Sequence, residues 1–246
     1  MKEASGNAKG NKNQESVLAL IPAKGASTRL KRKNVLSLGG KTLLQRAVDC
    51  AMESGICSDI VVSTEDDDIA GLAKGYGAEI PFIRPEKLSV DPAGVEAVAL
   101  HALDELEKVG RSYKTLAILL PTCPLRTAED LQEAYRLFSE NDGRFLMSVS
   151  EYEHSPFSAW VIDQNQNALP VFPHYRRHKS QELPKAYRCN GAIHILDVAA
   201  FRQTRSYTSQ PLLTYVMPRS RSFDIDTEED LLQVRAYLSA AQSNPN

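Results

Sequence analysis

The sequence predicts an α/β fold, a Rossmann-like arrangement with a mostly parallel central sheet flanked by helices, on three observations. Short apolar runs of strand length alternate with segments whose apolar residues recur at helical period. The first run ends in a loop of small and cationic residues, Ala23 to Lys33, which is where open α/β sheets bind ligands. The chain also holds 246 residues at 42% hydrophobic content, enough to bury a substantial core.

The elements follow in order. SVLALI, 16–21, reads as a buried first strand. Thr42 is placed to cap a helix whose residues Leu43, Leu44, Ala47, Val48 and Ala51 share one face, and Gly55 stands at its stop. DIVVST, 59–64, returns as a second strand, and EDDDIAGLAKGYG, 65–77, as a short helix whose acids complement its N-terminal dipole. AEIPFI, 78–83, is expected as a third strand broken by Pro81. Gly94 to Val109 repeats the helical period, TLAILL is a buried strand stopped by PTCP, and TAEDLQEAYRLFSEN is the next helix. Regularity lapses from Glu151 to Arg188, where FPHYRRHKSQELPKAYR is polar, basic and proline-bearing, the character of an inserted arm or lid. NGAIHIL and LTYVM resume as strands, and a last helix begins near DTEEDLLQVRAYL. The expected organisation is a disordered tail over 1–16 and one domain over 17–246, with 151–188 inserted.

Charge narrows the function. Twenty-nine basic residues nearly balance thirty-one acidic ones, so no overall field draws the chain to nucleic acid or membrane. No apolar run reaches the roughly 18–20 residues of a membrane span. The four cysteines form no C-x-x-C pair, which suits reduced thiols in the cytoplasm. Three motifs imitate other sites. LGGKT, 38–42, resembles the end of a phosphate-binding P-loop, but Val35 stands where that motif needs glycine, and a turn plus helix cap explains it better. His174 and His178 have zinc-like spacing but no third ligand at metal spacing. GYGAE has two of the three dinucleotide glycines and precedes a strand.

The loop IPAKGASTRLKRKN, 21–34, carries five cations between Lys24 and Lys33. Ala23, Gly25, Ala26 and Ser27 are small enough for backbone N–H groups to approach phosphate oxygens, while Lys24, Arg29 and Lys33 can neutralise a triphosphate. A solvated basic loop or a nucleic-acid patch would not need small residues interleaved with the charges at the end of a buried strand. In FDIDTEEDL, 223–231, Asp224 and Asp226 alternate along an extended segment and project to one side, a pair suited to magnesium. Helix capping by Asp226 or Thr227 accounts for one aspartate and leaves Asp224 unexplained.

These blocks resemble the acylneuraminate cytidylyltransferase family, the CMP-sialic acid synthetases and relatives acting on other acidic sugars. The likeness runs through the loop, VVSTEDDDIA, YGAEIPFIRPEKLS, LLPTCPLRT, EHSP, SQELPKAYRCNGAIHI and SFDIDTEEDL, and spans nearly everything after residue 16. It implies a homodimer joined through the insert. It implies transfer of CMP from CTP to the anomeric hydroxyl of an acidic nine-carbon 2-keto sugar, with release of pyrophosphate. By position, Lys24, Lys33 and Asp226 would be catalytic. Lys24, Ser27, Arg29, Lys33 and Asn34 would hold the triphosphate, and Arg84 would lie near the cytosine. Asp224 and Asp226 would bind Mg2+, and Leu120, Thr122, Arg188, Asn190 and His194 would form the sugar side. Lys24 stands where the family has arginine, Leu120 replaces a glutamine, Cys123 a serine and His194 a tyrosine, while Ser180 aligns with an arginine. These departures leave sialic, legionaminic, pseudaminic and other nonulosonic acids equally admissible. A non-catalytic nucleotide-binding relative and a Kdo-type cytidylyltransferase are the alternatives. ASTRL is similar to the latter, whose acidic G-D-E-P block is absent here.

Overall fold

The structure, a computed structural model, describes residues 16–27, 29–90 and 92–243. Of the tail expected over 1–16, all but Ser16 lies outside the described residues. The main sheet contains β1 (Val17–Pro22), β4 (Asp59–Ser63), β5 (Thr115–Ile118), β6 (Phe145–Glu151), β9 (Tyr187–Asp197) and β10 (Leu212–Val216), in the order β10-β6-β9-β5-β1-β4. β1 pairs in parallel with β4 and β5, and β10 in parallel with β6, while β9 runs antiparallel to both β5 and β6. Five strands therefore point one way and β9 points back.

β1 shows why the sheet is a middle layer. Val17, Ala19 and Ile21 pack with α1 (Leu43–Ser54) and α4 (Ala128–Glu140), and Leu18 and Leu20 with α3 (Val95–Lys108) and α5 (Val198–Thr204). A strand covered on both faces reads as a continuous apolar run, and VLALI is fully buried. α1 begins and ends as its sequence dictates. The Thr42 hydroxyl accepts from Gln45 N, and Gly55 takes φ 66°, where a side chain would be strained. The P-loop imitation is a tight hairpin between β2 (Ser37–Leu38) and β3 (Lys41–Thr42), with Gly39 and Gly40 both at positive φ. α2 (Asp67–Gly75) starts at Asp66, whose carboxylate accepts from Ile69 N.

Three expectations need correction. AEIPFI forms no strand, because Pro81 has no N–H to donate; only Glu79 exchanges backbone bonds with β4, through Ile60 and Val62. β9 starts at Tyr187, three residues earlier than NGAIHIL suggested. The insert also has regular structure of its own, a hairpin of β7 (Trp160–Ile162) and β8 (Ala168–Pro170) standing in solvent. A small third cluster, Leu38, Leu43, Leu125, Ile225, Leu231 and Val234, seats the last helix, α6 (Glu228–Ser243).

Candidate functional site

A cleft of about 300 Å³ opens at the carboxyl ends of β1 and β5. The loop after β1 lines it with Lys24, Ser27, Arg29, Lys33 and Asn34. The loop after β5 adds Leu120 and Thr122, and the segment before α6 adds Asp224 and Asp226. Arg84 and Ser89 close one side, beside the first turn of α3 at Gly94 and Val95. Other clefts lie near Lys114 at the amino end of β5, where Arg111 and Arg202 are already paired with carboxylates.

The loop is held by its own residues. Asn34 is buried, and its Nδ2 donates to the Lys24 carbonyl at 2.8 Å. Gly25 passes so close to the start of α2 that a Cβ there would sit 2.4 Å from Asp66 Oδ2, so no other residue fits without movement. Ser27 Oγ is buried with no hydrogen-bond partner among the described residues.

Opposite the loop, Asp224 and Asp226 both face the cleft while Ile225 between them points into the third cluster, fully buried. The alternation expected of an extended segment holds, although Phe223 to Asp226 joins no sheet and is anchored by Ile225 N donating to the Thr122 carbonyl. The cap of α6 falls to Thr227, whose hydroxyl accepts from Asp230 N while the Asp230 carboxylate accepts from Thr227 N. That leaves the Asp226 carboxylate free for Lys33 Nζ and Arg29 Nη1, each at 2.8 Å.

The two aspartates are pushed in opposite directions. Burial raises Asp224, and the charge of Asp226 raises it further, against a hydrogen bond from Thr122. Burial also opposes the charge on Asp226, but the hydrogen bond and charge of Lys33, followed by Arg29, outweigh it and hold the carboxyl below its usual range.

Ten residues singled out in the sequence thus meet in one cleft: Lys24, Ser27, Arg29, Lys33, Asn34, Arg84, Leu120, Thr122, Asp224 and Asp226. Three others, expected on the sugar side, do not line it. Asn190 is buried beneath it, with Oδ1 accepting from Ser148 Oγ at 2.6 Å and Nδ2 donating to Ser222 Oγ at 2.9 Å, so its polar capacity is used inside the fold. His194 faces the α3 layer, edge-on to Tyr207 with centroids 4.5 Å apart, and burial lowers its pKa to about 4. Arg188 is exposed at the root of the insert, paired in register with Ser150. Cys123 is fully buried under the cleft, its thiol donating to the Asn190 carbonyl, and burial plus the charge of Asp224 push it to about 12. It is not poised as a nucleophile.

Sequence reasoning missed Glu65, which links both sides of the cleft. Oε1 accepts from Gly25 N at 2.8 Å, and Oε2 accepts from Arg84 Nη2 at 2.6 Å and Ser89 Oγ at 2.7 Å. Its signal was present, an acid separated by one residue from the strand that neighbours β1, but within the EDDD run it reads as helix-dipole charge.

A small-residue cationic loop faces two carboxylates across this cleft at the carboxyl edge of a mostly parallel sheet, the edge at which open α/β folds bind their ligands. A family model described as cytidylyltransferase matches residues 18–243. The chain belongs to the cytidylyltransferase family. It is 33% identical over 214 residues to a pseudaminic acid cytidylyltransferase of Campylobacter jejuni, covering 87% of this chain and 92% of that protein. It is 32% identical over 216 residues to a CMP-N,N'-diacetyllegionaminic acid synthase of Legionella pneumophila, with the same coverage of each. Its fold is also similar to a solved CMP:2-keto-3-deoxy-manno-octonic acid synthetase complexed with CTP, at TM-score 0.68 and 16% identity over 92% of this chain and 99% of the other.

Proposed function

We propose that the protein transfers CMP from CTP to the anomeric hydroxyl of an acidic nine-carbon 2-keto sugar and releases pyrophosphate. One observation carries the reading: the cationic loop and the two aspartates line the same cleft. The names of the two relatives, pseudaminic and legionaminic acid enzymes, support a nonulosonic acid as acceptor.

In this reading Lys24, Ser27, Arg29 and Lys33 hold the triphosphate, Asn34 keeps the loop in shape through the Lys24 carbonyl, and Arg84 borders the nucleoside. The sugar hydroxyl attacks the α-phosphorus and loses its proton, and the bond to pyrophosphate breaks. Charge on the phosphoryl oxygens is stabilised by Lys24 and Lys33 as it develops. Leu120 and Thr122, at the end of β5, border the acceptor. Asp224 and Asp226 fit magnesium, because two hard carboxylates open to a phosphate cleft satisfy an ion that takes its other ligands from phosphate and water. Such an ion would neutralise charge on the phosphates. Lys33 and Arg29, paired with Asp226, stand in the same cleft as Lys24, and in this reading Asp226 is a catalytic residue alongside Lys24 and Lys33.

The same reading takes 17–246 as one domain, the protein as cytoplasmic, and its assembly as a homodimer through 151–188, with neither nucleic acid nor membrane as partner. Among the described residues no helix is long and apolar enough to cross a membrane. The test is pyrophosphate release from each of the four nucleoside triphosphates with a panel of acidic sugars, with and without magnesium. Turnover with CTP and a nonulosonic acid is expected; turnover with another nucleotide, or none with any acidic sugar, refutes the reading.

A further inference from the structure

We propose that Glu65 is a positioning residue that locks the two sides of the cleft to each other, holding the loop after β1 with one carboxylate oxygen and Arg84 with the other. The inference rests on the reading of the cleft as a CTP site.

Glu65 follows β4 with a single residue between, so its backbone is set by the sheet. Oε1 reaches Gly25 N at 2.8 Å and Ala26 N at 3.4 Å, forty residues away in the chain. Oε2 takes Arg84 Nη2 at 2.6 Å and Ser89 Oγ at 2.7 Å. The pair is enclosed, with side chains 2% exposed for Arg84 and 12% for Glu65. Burial alone would raise the Glu65 carboxyl, but hydrogen bonds from Ser89 and Arg84 bring it down to about 2, so it is charged at every physiological pH. Buried ion pairs contribute little net stability after desolvation, and geometry is what this pair adds.

The arrangement also decides what the loop amides do. Gly25 and Ala26 were read from sequence as phosphate donors, yet their N–H groups are taken by Glu65. A carboxylate that merely stood in for phosphate would have to leave when nucleotide binds. Oε2 argues against departure, because Arg84 and Ser89 are both buried and Arg84 would be stranded without its counter-charge. Glu65 therefore stays. Phosphate contacts fall to Lys24, Ser27, Arg29 and Lys33, and the loop amides serve to fix where those side chains stand.

Glu65→Gln keeps the shape and one acceptor oxygen but cannot accept at both positions. Titration calorimetry with CTP should give a Kd at least about 10-fold higher in the variant, the size expected from losing a charge-assisted hydrogen bond. The KM for the acidic sugar should stay unchanged, a split that general loss of stability would not produce. An unchanged Kd overturns the proposal, and a lower Kd overturns it by showing that the carboxylate competes with phosphate. If Glu65→Gln does not fold by circular dichroism, Ser89→Ala, which leaves Arg84 paired, should raise the Kd for CTP in the same direction, and no rise there overturns the proposal. Failure of the unaltered protein to bind CTP would sink the functional reading, and the proposal with it; CTP binding that ignores both substitutions sinks the proposal alone.

Discussion

Lys24 and Lys33 differ from their neighbours in the same basic run by what they face. Lys33 has a side chain only 14% exposed and is paired to Asp226, and Lys24 lines the cleft; Arg32 sits in the left-handed region and reaches outward to Asp68 of α2, and Lys31 is exposed. Alanine at Lys24 or Lys33 should lower kcat/KM for CTP by a few kcal/mol in transition-state terms, and at Lys31 or Arg32 by well under about 1 kcal/mol. Equal small losses at all four positions would mean the loop acts only as diffuse charge. His194 makes a pH prediction. Its folded pKa, about 4, lies below the ordinary 6.5, so the unfolded chain binds the extra proton between those values and stability falls as pH drops from 6.5 to about 4. His194→Phe should flatten that part of a plot of unfolding free energy against pH. Legibility at this scale followed locality. The loop cations and the two aspartates could be read because their signal is contiguous, whereas Glu65 acts on residues forty positions away and Asn190 satisfies partners that no sequence pattern announces.

Elements with explicit punctuation were legible. Thr42 and Gly55 bound α1, and Thr127 with Asp130 forms a capping box at α4. β6 escaped notice for a physical reason. Ser148 and Ser150 interrupt its apolar run, yet both are fully buried, and Ser148 pays for that position by bonding Asn190, Ile193 N and the Ile193 carbonyl. The α4 cap does a second task. Asp130, with a side chain 1% exposed, also receives Arg221 Nε and Nη2 at 2.9 and 2.7 Å and the Tyr215 hydroxyl at 3.0 Å. This joins α4 to the turn three residues before Asp224, so the helix start steadies the segment carrying the cleft aspartates. Arg221→Met leaves a buried carboxylate short of its strongest partner and should cost about 1–3 kcal/mol of unfolding free energy in urea. A loss within the error of the midpoint would show that Tyr215 and Thr127 suffice.

Across the whole molecule, the layered core was legible and the insert was legible as a lapse in regularity, but not its hairpin, because 151–188 has little interior of its own to impose a period. Trp160, Val161, Ile162, Leu169, Val171 and Phe172 are all more than a third exposed, an apolar surface of the kind that subunits cover. Under the proposed homodimer, Trp160→Glu with Ile162→Glu should halve the mass seen by analytical ultracentrifugation, and an unchanged mass would place the contact elsewhere. The roots of this insert are adjacent, since Glu151 and Tyr187 face each other across β6 and β9, and Tyr152 N still bonds the Ala186 carbonyl one step further out. The whole appendage therefore hangs from a two-stranded ribbon whose last rung is already closed. A chain built this way is modular: exchanging 153–185 for a two-residue Asn-Gly turn should leave a folded transferase core. By the same geometry, lengthening or reshaping the appendage costs the sheet nothing, but it leaves the sheet at the carboxyl end of β6, the edge that also carries the cleft, so how copies of such a protein assemble can change only in ways that keep that edge open to ligand.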